Sequence, residues 1–354
     1  MAKSSSLETP EFDIQLKTGK AVLTFLYSQL FLTPPNPTKS FAGQTIIVTG
    51  ANVGLGLEAA RHFYRLGSTR LILAVRTVAK GEAAKEDIVR SVSSRTDGAS
   101  AIEVWQLDLS STQSTLAFTD RVRTELPRVD VVVENAGINQ LNWVMTEGYE
   151  SSVQVNVLNT FLLALDLLPK LSETKTKFPE SSPHLVVVSS EAHHLTKFKE
   201  VNAPNIYERL NDKAWWNDVE RYQITKLIEV LFLRELVARL AKAQNSGPSP
   251  VIINLVNPGL CESNIDRTGK SPGLVMRLLR PILFRTAEVG GRAMVLGASA
   301  SEESHGEFMS DGNIQAVEGW IEEDVGRRAQ QKAFEQTMVI LEERKPGVAA
   351  AAGL

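Results

Sequence analysis

Residues 49–56 read TGANVGLG, and this stretch decides the fold. It follows a short apolar segment typical of a buried strand, residues 44–49 (QTIIVT), and it precedes a helical pattern over residues 54–66. Its glycines let the backbone turn tightly and approach a pyrophosphate, which the free N–H groups at the helix start can bind. A glycine-rich turn alone is weak evidence, but a position between a strand and a helix is typical of a dinucleotide-binding loop.

Strand-like and helix-like segments alternate along the rest of the chain. Further strands are predicted at residues 70–75, 101–107, 129–133, 184–189 and 251–256, and helices near residues 78–90, 112–125, 148–168 and 221–242. This order predicts an α/β fold with a doubly wound parallel sheet, a Rossmann fold. We expect one catalytic domain over residues 41–345 with substrate loops at about 191–220 and 260–286. Residues 1–40 are expected to form an N-terminal helical extension and a proline-rich linker.

The composition is that of a soluble globular protein. Apolar residues make up 43% and charged residues 22% of the 354 residues, and a net charge of -3 offers no basic field for nucleic acid. Cys261 is the only cysteine, which excludes an internal disulfide and favours a reducing, cytoplasmic compartment. One cysteine and five scattered histidines predict no metal site.

An apolar run occupies residues 21–32 (AVLTFLYSQLFL). It is too short to span a membrane, which takes roughly 20 apolar residues. Two interpretations stay open: a short helix that covers the body of the protein, or an interfacial helix on a membrane surface with Lys17 and Lys20 near the headgroups.

The end of the second predicted strand indicates which nicotinamide cofactor the loop would bind. An acidic side chain there would bind the ribose 2′-hydroxyl of NAD, whereas a basic one can pair with the 2′-phosphate of NADP. Arg76 and Lys80 follow this strand, and no acidic residue occupies its tip. The sequence therefore favours NADP(H), because the planar fork of arginine binds phosphate bidentately.

Polar or small residues follow the next two strands. Asp108 comes after the third strand, where a carboxylate can accept a hydrogen bond from an adenine amino group. Asn135, Ala136 and Gly137 come after the fourth, where small residues would let the main chain pass close to a nucleotide. The carboxyl ends of these strands share one edge of the sheet, where ligands bind in doubly wound folds.

Tyr222 and Lys226 lie four residues apart at the start of a long predicted helix, which places the phenol and the ammonium on one helical face. A nearby cation favours the phenolate, so such a tyrosine could exchange a proton near neutral pH. The spacing alone is weak evidence. Asn156 stands out as an amide within an apolar helix, where it could equally be a satisfied buried amide or the cause of a kink.

In this order the motifs resemble the short-chain dehydrogenase/reductase family over roughly residues 43–300. Within the family, residues 73–76 (LAVR) and 188–194 (VSSEAHH) are similar to the retinol-dehydrogenase-like branch and to fungal members of secondary metabolism. The resemblance implies a catalytic tetrad of Asn156, Ser190, Tyr222 and Lys226.

Each member of the tetrad has an implied role in the family. Tyr222 would be the general acid in reduction and the general base in oxidation, and Ser190 would orient the carbonyl. Lys226 would assist the tyrosine and bind the nicotinamide ribose, and Asn156 would hold a water that links Lys226 to solvent. Pro258, Gly259 and Ser263 would lie at the nicotinamide end. The full set of predicted cofactor contacts is Gly50, Asn52, Val53, Gly54, Leu55, Gly56, Arg76, Lys80, Asp108, Asn135, Gly137, Tyr222, Lys226, Pro258, Gly259 and Ser263.

The chain departs from the family pattern in two places. Glu134 stands where many relatives have a first asparagine before Asn-Ala-Gly, and because Asn135 is kept we expect little loss. Tyr222 follows Ser190 by 32 positions, a longer step than is common in the family. The inserted residues include Trp215 and Trp216 and form either a substrate lid or a surface helix.

These observations predict an NADPH-dependent enzyme that interconverts a carbonyl and an alcohol on a small to medium apolar substrate. One alternative is a reductase of an imine or an unusual biosynthetic intermediate at the same site. An alternative of another class is an NADP-binding sensor or scaffold without turnover, which the presence of both Tyr222 and Lys226 disfavours. A homodimer through the long helices is a further expectation from the family.

Overall fold

A central sheet of eight strands organises the computed structural model, which describes residues 11–95, 98–244, 247, 249–262 and 283–354. The strands in chain order are β1 (Thr45–Thr49), β2 (Arg70–Val75), β3 (Ile102–Gln106), β4 (Val131–Glu134), β5 (Met145–Thr146), β6 (Tyr149–Glu150), β7 (His184–Val188), β8 (Ile252–Asn257), β9 (Phe308–Ser310) and β10 (Asn313–Gln315). Strands β5 and β6 form a separate two-stranded hairpin.

The main sheet has the order β10-β9-β8-β7-β4-β1-β2-β3, and all its neighbours are parallel except β9 and β10. The crossover lies at β1, which pairs with β2 on one side and β4 on the other. This topology confirms the predicted doubly wound sheet. Strands β9 and β10 were not predicted, because three residues are too few to show a strand pattern.

Helices cover both faces of the sheet. They are α1 (Thr18–Phe31), α2 (Gly54–Arg65), α3 (Val78–Ser91), α4 (Thr112–Glu125), α5 (Ser151–Lys177), α6 (Ile206–Leu210), α7 (Asp218–Ala243), α8 (Ala287–Gly297), α9 (Asp324–Arg344) and α10 (Val348–Ala352). Helix α5 is long and apolar enough to cross a membrane, but its most apolar window is wholly buried inside the protein. It is therefore accounted for as a core helix.

Aromatic contacts join the long helices on one face of the sheet. Phe161 of α5 stacks on Phe232 of α7 with ring centroids 3.9 Å apart, and Phe232 stacks on Phe334 of α9 at 4.7 Å. Helix α9 thus packs along α7, while α10 packs against α5. The chain's own C-terminal helices consequently cover parts of both long helices.

Helix α1 packs on the body with its polar side inward. Ser28 and Gln29 are buried, and the Ser28 hydroxyl donates to Asp311 at 2.7 Å. The apolar side faces outward, where Leu23 is 70% and Phe31 is 72% exposed. Tyr27 and Leu30 extend the same stripe along the helix. The helix therefore covers the body, as one interpretation expects, and it also presents an apolar outer surface, whose contact with a membrane stays a prediction.

Candidate active site

A groove of about 590 Å³ runs along the carboxyl edge of the sheet. The predicted cofactor residues that line it are Gly50, Asn52, Val53, Gly54, Leu55, Gly56, Arg76, Lys80, Asp108, Asn135 and Gly137. The structure therefore brings together, in one groove, residues that follow four different strands.

The glycine loop fits tightly against the segment that follows β4. A Cβ atom on Gly56 would lie 2.4 Å from the Asn135 amide nitrogen and 2.7 Å from the Gly50 carbonyl oxygen. The Asn135 amide donates to the Thr49 carbonyl at 2.8 Å, and the Thr49 hydroxyl accepts from the backbone N–H groups of Asn135 and Ala136. These contacts fix the distance between the two walls of the groove.

The start of helix α2 is suited to an anion. Val53, at the N-cap, provides no side-chain hydrogen bond, so the first N–H groups of the helix stay open toward the groove. Gly50 and Gly54 adopt positive φ angles of 66° and 61°, which glycine accepts without strain. This cradle fits the pyrophosphate of a dinucleotide.

Two cations lie at the end of the groove nearest β2. Arg76 and Lys80 are both exposed, and Arg76 makes no ion pair with a carboxylate among the described residues. On the neighbouring wall, Asp108 is held in place because one of its oxygens accepts from the N–H and the hydroxyl of Ser110, at 3.0 and 2.7 Å.

Tyr222 and Lys226 lie near the N-terminal end of α7, which Asn217 caps through its side chain. The Lys226 ammonium is 5.7 Å from the centre of the Tyr222 ring. It is buried and donates to the Val188 carbonyl, the last of β7, at 2.8 Å. The helix spacing and the end of β7 together place the ammonium beside the phenol, as the sequence predicts.

Asn156 connects the groove to this pair. It lies on a π-helical turn, Gln154–Asn159, within α5. Its side chain exchanges two hydrogen bonds of 2.9 Å with the backbone of Ile138, which lines the groove, and donates to the Thr225 hydroxyl at 3.1 Å. Asn156 is thus a satisfied buried amide at a helix irregularity, while its predicted role in holding a water stays a prediction.

The two serines after β7 have different surroundings. Ser189 is buried and its hydroxyl donates to the Lys226 carbonyl at 3.3 Å. Ser190 is half-buried, and its hydroxyl oxygen accepts from the Ala192 N–H at 3.1 Å, which leaves the hydroxyl hydrogen to donate elsewhere. Of the two, Ser190 thus has the hydroxyl hydrogen available for a ligand, while its implied role in orienting a carbonyl stays a prediction.

Glu229, which the sequence did not reveal, pairs with Lys226, and Glu134 is buried at the end of β4. Glu229 accepts from the ammonium at 2.8 Å. Burial opposes the charge on Lys226, but the Glu229 carboxylate and the Tyr222 phenol outweigh this effect and raise the pKa of Lys226. Glu134 is also fully buried, and burial together with the nearby Glu229 raises the pKa of Glu134 well above its usual value.

Glu191, directly after Ser190, is another group that the sequence did not reveal. Burial, reinforced by Asp311, raises the pKa of Glu191 to about 7. Nothing in the sequence distinguished Glu191 from a solvent-exposed acid, because it lies among other polar residues. Next to it, His193 is neutral, because burial lowers the pKa of its ring to about 3, and His194 pairs with Glu318 at 2.7 Å.

Pro258 and Gly259 follow β8, on the side of the sheet where α1 packs. Gly259 adopts a φ of 79°, which favours glycine, and a Cβ there would lie 2.6 Å from the Arg285 guanidinium and the Gln29 amide oxygen. Pro258 and Gly259 do not line the groove, and neither do Tyr222 and Lys226. Ser263 lies outside the described residues, as does most of the predicted loop at 260–286.

The long step from Ser190 to Tyr222 forms short helices rather than one surface helix. Helix α6 is anchored on α9, because the Tyr207 hydroxyl bonds to Thr337 at 2.5 Å. Trp216 packs edge-to-face on Trp143 at 6.2 Å, close to Val144, which lines the groove. The insertion thus has an anchored outer part and an aromatic contact toward the groove.

Comparison with known proteins identifies similar chains. The family model described as "short chain dehydrogenase" matches residues 44–201. The short chain dehydrogenase/reductase dmxR8 of the fungus Cryptosporiopsis is 42% identical over 330 residues, which cover 92% of this chain and 98% of that protein. The similarity therefore extends over nearly the whole of both chains.

Two solved structures share the fold. A metagenomic short-chain oxidoreductase in complex with NADP has a TM-score of 0.51 at 23% identity, covering 77% of this chain and 96% of that one. A 3-ketoacyl-(acyl-carrier-protein) reductase from Brucella melitensis complexed with NADH has a TM-score of 0.56 at 20% identity, covering 77% and 97%. At these identities the likeness concerns the fold alone.

The contacts of Asn156 predict a loss of stability on its removal. Asn156→Ala leaves the buried Ile138 backbone without its partners, and we expect the free energy of unfolding to fall by about 2–4 kcal/mol in chemical denaturation. Asn159→Ala is the matched control, since Asn159 lies on the same turn and is equally buried, but it bonds Leu109 and Arg344. Both variants should lose stability, while only Asn156→Ala should lower kcat; equal kcat losses would contradict a special place for Asn156.

Proposed function

Because the chain belongs to the short-chain dehydrogenase/reductase family, we propose that it interconverts a carbonyl and an alcohol on a small to medium apolar substrate with NADP(H). The observation that carries this proposal is the buried Lys226 ammonium held 5.7 Å from the Tyr222 ring. Through Thr225 and Asn156, this pair is connected to Ile138 in the groove.

The residues of the groove fit a nicotinamide dinucleotide. Gly50, Gly54 and Gly56 would hold the pyrophosphate at the start of α2, and Asp108 would meet the adenine. When bound, NADPH would supply a hydride to the carbonyl carbon. The remaining task of the protein is to bind the carbonyl oxygen and to give it a proton.

The proton would come from the Tyr222 hydroxyl. The Lys226 charge favours the phenolate that this transfer leaves behind, and the low polarity of the surroundings strengthens the effect. The free hydroxyl hydrogen of Ser190 would donate to the same carbonyl oxygen. In the oxidative direction the steps reverse, and Tyr222 would act as the base.

The preference for NADP(H) rests on Arg76 and Lys80. Both are exposed at the groove's end, where a 2′-phosphate would lie. The similar structures bind NADP in one case and NADH in another, so the preference is argued from these two side chains.

The likeness to fungal short-chain dehydrogenases supports a substrate among secondary-metabolite intermediates. The single cysteine favours a location in the cytoplasm. An imine or an unusual biosynthetic intermediate would use the same proton donor. The placement in the retinol-dehydrogenase-like branch stays a prediction. A homodimer through α5 and α7 would have to form around α9 and α10, which cover parts of these helices.

Helix α1 supports a peripheral contact with a lipid surface. Its outward stripe of Leu23, Tyr27, Leu30 and Phe31 is exposed, while polar side chains face the body, which is the reverse of a helix that only covers a core. Lys17 and Lys20 at its start suit anionic headgroups. An apolar substrate dissolved in that surface would then be close to the loop that α1 contacts through Gln29.

Removal of the Tyr222 hydroxyl tests the chemistry. We expect Tyr222→Phe to lower kcat by about 10²–10⁴-fold while NADPH binding, measured by nucleotide fluorescence, stays intact. Tyr207→Phe is the control, because it removes a buried hydroxyl that bonds only to Thr337. Full activity in Tyr222→Phe would exclude the proposed proton donor, whereas an unaltered protein that binds NADPH without turnover would favour a sensor or scaffold.

Removal of Arg76 tests the cofactor preference. We expect Arg76→Ala to weaken NADPH binding by roughly ten- to a hundredfold through the lost charge-assisted hydrogen bonds, with little change for NADH. Arg90→Ala, an exposed arginine at the far end of α3, controls for the loss of a positive charge. Equal weakening for both nucleotides would contradict the pairing with a 2′-phosphate.

Polar substitutions on α1 test the lipid contact. The double variant Leu23→Ser, Phe31→Ser should reduce co-sedimentation with phosphatidylcholine–phosphatidylserine vesicles by at least about tenfold, because each side chain loses roughly 1.5–3 kcal/mol of apolar burial. Val339→Ser removes an exposed apolar side chain on α9 and should have no effect. If the unaltered protein does not bind these vesicles, the proposed contact does not exist.

A further inference from the structure

Two buried glutamates lie behind Lys226, and the proposed chemistry uses neither of them. Glu134 is the last residue of β4 and is 3% exposed, and Glu229 on α7 is 2% exposed. Carboxylates are rarely buried to this extent unless a cation or several hydrogen-bond donors balance them. The question is therefore what balances each of the two.

Lys226 balances Glu229. One turn of α7 separates them, and their ammonium and carboxylate groups are 2.8 Å apart. Burial raises the pKa of Glu229, and Lys226 and the nearby Ser189 side chain oppose this rise. The second oxygen of Glu229 has no hydrogen-bond partner among the described residues.

Nothing comparable balances Glu134. Neither of its carboxyl oxygens has a hydrogen-bond partner in the described part of the chain. The charge that acts on it is the negative one of Glu229, which repels a second negative charge. The cluster thus holds two acids and one ammonium, and it can be neutral only if one acid keeps its proton.

The electrostatics assign the proton to Glu134. Burial and Glu229 raise the pKa of Glu134 well above its usual value, with no cation to oppose them. Burial also raises the pKa of Glu229, but the Lys226 ammonium 2.8 Å away opposes this rise and favours the carboxylate. Tyr222, on the other side of Lys226, is the remaining titratable group that acts on this cluster.

We propose that Glu134 and Glu229 form an acid pair that holds one proton at neutral pH, with the proton on Glu134 and the charge on Glu229 beside Lys226. Both are positioning residues, and the inference rests on the proposed roles of Tyr222 and Lys226. The pair fixes the ammonium and partly offsets its charge. Glu134 lies beside Val187 of β7, next to the Val188 carbonyl that accepts from Lys226.

The stability of Glu134→Gln tests the proton on Glu134 without any need for turnover. A group whose pKa is raised in the folded state binds a proton that the unfolded chain releases, so its contribution to stability falls as pH rises above the unfolded value of about 4.3. Glutamine removes this loss. We expect Glu134→Gln to melt a few degrees above the unaltered protein at pH 8, with the gain shrinking toward pH 5.

The matched control is a buried acid whose negative charge is balanced by a cation. Asp130 is 1% exposed and pairs with Arg128, so Asp130→Asn should lower the melting temperature at pH 8. Infrared spectra at pH 7 should contain a protonated carboxyl band that is lost in Glu134→Gln and kept in Asp130→Asn. A Glu134→Gln variant that is less stable than the unaltered protein at pH 8, or an unchanged band, would overturn the assignment.

The pH profile of alcohol oxidation tests the effect on Lys226. Without the Glu229 charge, the ammonium acts undiminished on Tyr222, so Glu229→Gln should move the rise of kcat/KM to lower pH by about one unit. Glu229→Asp keeps the charge, so its pH profile should match that of the unaltered enzyme. This variant also provides a comparison if Glu229→Gln folds poorly. Equal profiles in Glu229→Gln and the unaltered enzyme would overturn the positioning role.

Because melting and infrared spectra need no substrate, an inactive protein would refute the proposed function and leave the acid pair testable.

Discussion

Burial of one lysine ammonium constrains the surroundings of the site. Lys226 is 5% exposed, and an isolated charge at that depth costs several kcal/mol. The chain offsets this cost with the last carbonyl of β7 and with Glu229 one turn away. These contacts fix this part of α7 against the end of β7, with the ammonium 5.7 Å from the centre of the Tyr222 ring.

Much of the groove can be predicted from the sequence, because its residues directly follow the predicted strands. The glycine loop, Arg76, Asp108 and Asn135 were predicted correctly as neighbours, since parallel strands end at one edge. The sequence was less informative about Glu134, which was expected to cause little change. Its burial depends on β4 lying between β1 and β7, a long-range fact that no local pattern contains.

Glu229 escaped notice for a different reason. Its helix carries other charges, so a glutamate there resembles a solvated side chain, and only the packing of α5 and α9 around α7 shows that it is enclosed. The amide of Asn156 did stand out, because a polar group within an apolar run has few explanations. The π-helical turn at Gln154–Asn159 adds a local widening of α5 that residue patterns do not encode.

The contact of α1 with the body has a consequence for how this chain can diverge. The Gln29 amide donates to the carbonyls of Leu260 and Leu283, and the backbones of Cys261 and Arg285 pair in an isolated β-bridge. These contacts hold together the two ends of the segment between Cys261 and Arg285. Because the two ends of this segment are held together, each doubling of its length costs only about 0.6 kcal/mol of loop-closure entropy. Insertions or deletions between Cys261 and Arg285 should therefore change the closure entropy of the chain only slightly.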